Sequence, residues 1–436
     1  MRWLRIPPSM RLFFLAILAM TLASTAYTLI ATYLFKLPYP YGPPLFFADD
    51  RWFDFTIYHD RFQHFRTPAF WDADYYYPFT YPAPLAMLYA ALYQIPHVLR
   101  YYLVAYVAAV VSAAMVLRRA LTERGIANAF AIVFTAAFFA LNYPLRTLFE
   151  SANTEGIVAI LAAFGLYNIL RDRYYLGGTL IALAGTMKIF PFILLALLLS
   201  KRRYREFAFA LGFAFLVNLT GLAIVGPTIA EAQRHIADGI HYVQVTFIYS
   251  VNPAAVTFNH SLFTLVKFPV VALYRHFHPL VIHTHADWLV RATAERSLLD
   301  TTFTVYVILA ATFGVVAYFV WIRRLPLLNQ VLALTVCAVL LPPLSADYTL
   351  LHLLFPFALL CLYAADMARN NIEVPGLKAA FLCFAPIFSF QTYITWRYRY
   401  SCECRTVALI LLLALVLRHR FPWDEHEASK NCLVPD

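Results

Sequence analysis

Long apolar runs, most of them closed off by two or three arginines and lysines, recur from one end of this chain to the other. A run of about eighteen apolar residues is long enough to cross the hydrocarbon of a bilayer as one helix, and lipid tolerates only helices and closed barrels. With 62% hydrophobic residues, 13% charged and a mean hydropathy of +0.65, the apolar excess is too large for one buried core. Soluble domains average about 45–50% apolar and about 25% charged residues. The chain reads as an all-α polytopic membrane protein, one integral membrane domain over residues 1–436 with no separate soluble domain.

A net charge of +10 and a pI near 9.2 would suit a nucleic-acid binder if the bases formed one patch. They sit instead at the ends of apolar runs, which is the positive-inside pattern of cytoplasmic loops, and no nucleic-acid partner is expected. Cys337, Cys361 and Cys383 lie inside apolar runs as small hydrophobes; Cys402-Glu403-Cys404 is too tight for an ordinary bridge or zinc knuckle, and Cys432 stands apart. His276, His278, His283 and His285 have no Cys or Glu to complete a ligand set. No metal and no cofactor are expected.

Arg2, Arg5 and Arg11 place the N-terminus in the cytoplasm, ahead of a span at about 11–33 with no A-x-A cleavage site. Residues 36–81 then form a first external loop, rich in Pro, Tyr and Phe. The apolar run at about 82–95 is too short to span and reads as re-entrant or interfacial, which lets the next span carry Arg118, Arg119 and Arg124 inward. Spans follow at about 98–117, 127–142 and 154–170. Two short halves at about 176–187 and 189–200 meet in a hairpin at Lys188. After a span at about 206–226, residues 227–299 form a large external loop with a second short apolar run. Later spans at about 300–322, 327–341, 350–366, 376–392 and 406–418 bring the count to about twelve, with both termini inside. Arg397 and Arg399 fall outside, against the rule. Neither a solenoid period nor two matching halves is visible.

This topology gathers the unusual polar residues at the outer side. Asp49, Asp50, Asp54, Tyr58, Asp60, Asp72 and Asp74 lie in the first loop, and Arg146, Glu150, Asn153 and Glu155 around the next outer turn. Lys188 sits at the hairpin tip, Asn259, His260, Ser261 and Lys267 in the large loop, and Asp347, Tyr348 and His352 after Pro342-Pro343. A carboxylate, cations and aromatic faces around one outward cavity suit removal of a hydroxyl proton and reception of a departing phosphate. Intramembrane Lys, Glu and Asn equally suit a transport pathway. Residue chemistry alone leaves both open.

Several short motifs follow one another in an order that resembles glycosyltransferase family 87, polyprenyl-phosphate-dependent membrane enzymes of the GT-C class. Asp54-Phe55-Thr56-Ile57-Tyr58 is similar to the family's D-[FL]-x-x-Y signature, and Tyr81-Pro82-Ala83-Pro84-Leu85 to the start of the helix after it. Asn153-Thr154-Glu155-Gly156 resembles an N-x-E-G helix start. Lys188-Ile189-Phe190-Pro191 ahead of Lys201-Arg202-Arg203 is similar to a K-x-x-P hairpin. Asn259-His260-Ser261-Leu262 resembles N-[QH]-S-L, and Pro343-Leu344-Ser345-Ala346-Asp347-Tyr348 the late P-x-S motif. Many members carry Ser-Trp-x-His in that last motif, so His352, about one helical turn on, is the nearest stand-in here; Glu155 stands where many carry Gln.

The resemblance implies a GT-C bundle with juxtamembrane helices in the first and middle external loops, in a bacterial inner membrane with its site toward the periplasm. It implies transfer of a sugar, mannose being one candidate, from a polyprenyl-phosphate donor to a lipid or glycan acceptor. Asp54 would be the general base. Lys188 would hold the donor phosphate, with Arg146, His260 and Lys267 as further cations. Tyr58, Asn153, Glu155, Asn259, Asp347 and His352 would line the substrates, with helix capping the plainer role for Asn153 and Glu155. The rival readings are a lipid-linked-sugar transporter or flippase, and an oligosaccharide polymerase or ligase.

Overall fold

The computed structural model describes residues 6–37, 51–71, 78–251, 259–279, 285–389 and 401–423. Asp49, Asp50, Asp72, Asp74, His283, Arg397, Arg399 and Cys432 lie outside them. Every regular element among the described residues is helical; the one sheet-like contact is an isolated antiparallel bridge between Asn259 and Ala346.

The first helix, Pro8–Thr28, runs on through a wider turn over Leu29–Leu34. Three short turns of helix follow in the first loop, Phe53–Thr56, His59–Phe62 and Pro68–Trp71. They stand on Ala83–Tyr93 through a nest of rings, with Phe55 and Tyr58 each about 6 Å from Tyr89 and Phe62 at 5.8 Å. Eleven residues reach only about 16 Å, so Ala83–Tyr93 is too short to span, as its length implied. His97 at φ 56° then turns the chain into Val98–Glu123.

Asn128–Ala140 and Tyr143–Ser151 meet at a 46° bend, where Asn142 accepts from the Leu145 amide and Pro144 begins the new helix. Ala152 at φ 51° ends that helix and leaves Asn153 in the gap before Glu155–Leu170. This last helix lies against Tyr174–Met187 at a glycine crossing. A Cβ on Gly177 would stand 2.8 Å from the Gly165 carbonyl oxygen. Backbones that close carry Lys188, just past the second helix, back to Glu155 at the start of the first.

Lys188 itself is extended (φ −145°, ψ 122°), and the chain returns through Phe190–Leu195 and Ala196–Ser200. Tyr204–Val225 leads to the amphipathic Ile229–Val243, then to Leu262–Phe277 in the large loop. His285–Val320 is the longest helix, and Leu327–Leu340 is buried along its whole length. Asp347–Leu353, Leu354–Arg369, Leu377–Phe388 and Ser401–Arg418 complete the bundle.

Five helices among the described residues are long and apolar enough to cross a membrane, or six if the bent pair is one span, against the expected twelve or so. The difference is in the breaks. Lys188 and Pro191 split one passage into short pieces, and Glu155–Leu170, Leu327–Leu340 and Leu377–Phe388 are shorter apolar helices.

Side-chain ties mark two opposite ends of the bundle. At one, Arg124 pairs with Asp366 at 3.2 Å, and Asn329 donates to the carbonyls of Val416 and His419 at 2.7 Å. At the other, Tyr102 near the start of Val98–Glu123 donates to the Asn153 carbonyl at 2.6 Å. Arg124 and Tyr102 are separated by most of a helix about 39 Å long.

Candidate active site

Asn153 is the hub. Its Nδ2 donates to Asp54 Oδ2 at 2.9 Å, and its Oδ1 accepts from Lys188 Nζ at 3.1 Å and from the Glu155 amide at 2.9 Å. Lys188 Nζ lies 2.8 Å from Glu155 Oε2, a charge contact not aligned as a hydrogen bond, while Glu155 Oε1 lies 2.6 Å from His352 Nε2. Asp54, Asn153, Lys188, Glu155 and His352 therefore form one continuous polar chain drawn from four separate parts of the sequence. The Lys188 ammonium also sits between two rings, 5.3 Å from the centre of Tyr81 and 4.9 Å from that of Tyr348. Cation–π attraction of this kind holds an ammonium without neutralising it.

The first loop is clamped to this chain by its backbone. Trp52 donates its amide to the Glu150 carbonyl at 2.6 Å, Tyr89 its hydroxyl to the Asp54 carbonyl at 3.2 Å, and Tyr93 its hydroxyl to the Phe55 carbonyl. Tyr58 is buried, edge-on to Phe79 and Tyr81, with its hydroxyl 3.2 Å from Thr80 Oγ1. It supports the loop. Burial pushes its phenol up to about 12.

Asp54 keeps part of its surface accessible, yet burial among its neighbours raises its carboxyl above the ordinary aspartate value. The Asn153 hydrogen bond, the Lys188 charge and the Ser151 hydroxyl all oppose that rise. Asp54 is thus partly accessible yet desolvated, and Lys188, Tyr81 and Tyr348, also partly accessible, are close enough to act on it electrostatically. Such a group is a stronger base than a surface aspartate.

A second buried knot lies beside the first. Asp347 accepts from Arg405 Nη1 at 3.0 Å and from the Tyr143 hydroxyl at 2.7 Å, and lies 2.5 Å from His260 Nε2; Arg405 stacks on the Tyr143 ring at 4.1 Å. The two late motifs dock here. Asn259 Oδ1 accepts from the amides of Ser261 at 3.1 Å and Ser345 at 2.9 Å, and the His260 amide donates to the Ser345 carbonyl at 2.7 Å.

The structure thus joins Asp54, Asn153, Lys188, Glu155 and His352, with Tyr58 behind them. Asn259, His260 and Asp347 belong to the neighbouring knot. Asp347, 1% exposed, faces Arg405, Tyr143 and His260. Arg146 pairs with Glu150 at 2.8 Å on its own helix. Lys267 is buried with its ammonium on the Ile248 carbonyl at 2.7 Å, and burial draws it down to about 8. Arg405 was missed by the sequence reading; its signal was an arginine entering an apolar run, where an ionisable group needs a partner. No group of metal-ligating side chains occurs among the described residues.

Glycosyltransferase family 87 matches the chain over residues 79–345, more than half its length. The chain belongs to that family. No curated protein and no solved structure matches it. The family 87 match takes in Asn153, Glu155, Lys188, Asn259 and His260, whereas Asp54, Asp347, His352 and Arg405 lie outside it and enter through the contacts above. Membership makes this a membrane glycosyltransferase.

Proposed function

We propose that this family 87 protein is an inverting glycosyltransferase that moves one hexosyl unit from a polyprenyl-phosphate carrier to a hydroxyl of a lipid or glycan acceptor. The observation that carries the reading is a reachable, desolvated Asp54 tied through one amide to a cation held between two tyrosine rings. Asp54 takes the proton of the acceptor hydroxyl as its oxygen bonds to the anomeric carbon from the face opposite the leaving group. The bond from that carbon to phosphate breaks, and polyprenyl phosphate departs with the electron pair. Lys188 is the cation proposed to face the departing phosphate, with Glu155 and Asn153 fixing its ammonium. Tyr81 and Tyr348 offer ring faces to the sugar or the first isoprene units.

The site is proposed to face the periplasm across a bacterial inner membrane. Arg171 follows Glu155–Leu170, whose other end supplies Glu155 to the Asp54 chain, and basic loops stay in the cytoplasm. Purified protein in nanodiscs, given radiolabelled polyprenyl-phosphate hexoses and a membrane lipid extract, should yield a labelled product. Asp54→Asn should lower turnover by about 10²–10⁴-fold while donor binding persists. A variant that labels as fast as the parent would remove Asp54 as the base.

A further inference from the structure

We infer that Asn153 is the positioning residue of this reaction: its amide, fixed in one orientation, aims and charges Asp54. This rests on the reading of Asp54 as the base. The orientation follows from chemistry. An ammonium and a backbone N–H both donate, and both lie on one atom of the Asn153 amide, Lys188 Nζ at 3.1 Å and the Glu155 amide at 2.9 Å. Only the oxygen accepts, so that atom is Oδ1 and the NH₂ is turned to Asp54 Oδ2 at 2.9 Å. A flip would set NH₂ against an ammonium and a second N–H, and oxygen against a carboxylate, all at once. Asn153 is fully buried, and its backbone is held by Tyr102 on the carbonyl and by Ser151 Oγ on the amide.

The amide thus hands the donor character of Lys188 on to the carboxylate, where an N–H favours the ionised form. Desolvation of Asp54 works the other way. The groups acting electrostatically with Asp54 are Lys188 and the phenols of Tyr58, Tyr81, Tyr89, Tyr102 and Tyr348. Phenols stay neutral over the pH range in which a carboxyl titrates. Against burial, the ionised form of the base therefore depends on Asn153 and Lys188, with the Ser151 hydroxyl beside them. The alternative is that Asn153 only caps the helix Glu155–Leu170 through Oδ1.

One substitution separates the two. Asn153→Asp keeps an oxygen for Lys188 and for the Glu155 amide, so the cap survives, but it turns an oxygen toward Asp54 where an N–H had been. Two carboxylates sharing a site cannot both ionise freely, and one is raised strongly. The acid limb of the kcat/KM profile should move up by about one pH unit or more, costing about tenfold at pH below the new limb and recovering above it. Infrared titration supplies a readout independent of turnover. The protonated-carboxyl band should persist to higher pH than in the parent, and should vanish in Asp54→Asn/Asn153→Asp, which restores an amide–carboxylate pair with the partners exchanged. Should Asn153→Asp not insert and fold, Asn153→Ala carries the same test with a smaller upward shift. Movement of both band and limb upholds the inference. If neither moves in a folded variant, Asn153 is a cap and the inference falls. If the band moves and the limb does not, the amide sets the charge of Asp54 but Asp54 is not the base, and the proposed mechanism falls instead.

Discussion

Arg405 and Asp347 meet at 3.0 Å with side chains 2% and 1% exposed, tying the last helix of the bundle to the turn that follows Leu327–Leu340. Asp347 also holds His260 and Tyr143, and Arg405 donates to the Ser389 carbonyl at 3.1 Å, so five parts of the chain meet at one ion pair. Removing one partner of a buried pair strands the other charge. Arg405→Met should cost about 3–5 kcal/mol, whereas Arg405→Met/Asp347→Leu should recover much of that loss. Thermal unfolding of the detergent-solubilised variants checks this; additive losses would show the pair to be uncoupled.

Asn259 ties the two late motifs together. Its Oδ1 serves the buried amides of Ser261 and Ser345, and Ser261 Oγ reaches the Pro343 carbonyl at 2.9 Å. Asn259→Ala leaves both amides without that acceptor, at about 1–3 kcal/mol each. The expected outcome is a less stable protein whose KM for donor changes little. An affinity loss without a stability loss would place Asn259 against substrate.

The gathering of Asp54, Asn153, Glu155 and Lys188 was legible because charge placement fixed which end of each helix they occupied, and Lys188 with Pro191 announced a break too short to be a span. The glycine crossing at Gly165 and Gly177 that delivers Lys188 to Glu155 left no comparable trace, since glycine in apolar helices is common. The partners of Asp347 left less trace. A carboxylate in an outer loop reads as available until its partners are known, and Tyr143 and Arg405 come from 204 and 58 residues away in sequence. The span count is left open where helices are broken or short, which hydropathy cannot divide.

Lys188 is 12% exposed and Glu155 is fully buried, so their contact is far from a surface salt bridge. Lys188→Met would leave Glu155 with His352 alone to balance it, and about 3–5 kcal/mol should be lost. Glu155→Gln/Lys188→Met should fold better than Lys188→Met and still fail to turn over. Urea titration of the reconstituted protein, beside the labelling assay, separates folding from activity here. Activity in the double variant would mean that the phosphate is held by another cation.

Asp54 should trade stability for reactivity, and the sign follows from its pKa. Its folded-state pKa is raised, chiefly by burial. A raised carboxyl favours the folded protein when protonated, so this contribution is present below the unfolded aspartate value, near 3.9. It is lost as pH rises through the higher folded value. Turnover runs the opposite way, because only the ionised carboxylate accepts a proton. Asp54→Asn mimics the protonated form at every pH and keeps an oxygen for the Asn153 amide. It should therefore unfold at a higher temperature than the parent at pH 7 while transferring almost no sugar, and the gap should close as pH falls toward 4. Melting curves of parent and variant across that range decide the matter: a parent as stable as Asp54→Asn at neutral pH would mean that the Lys188–Asn153 pair fully offsets the burial of this carboxylate.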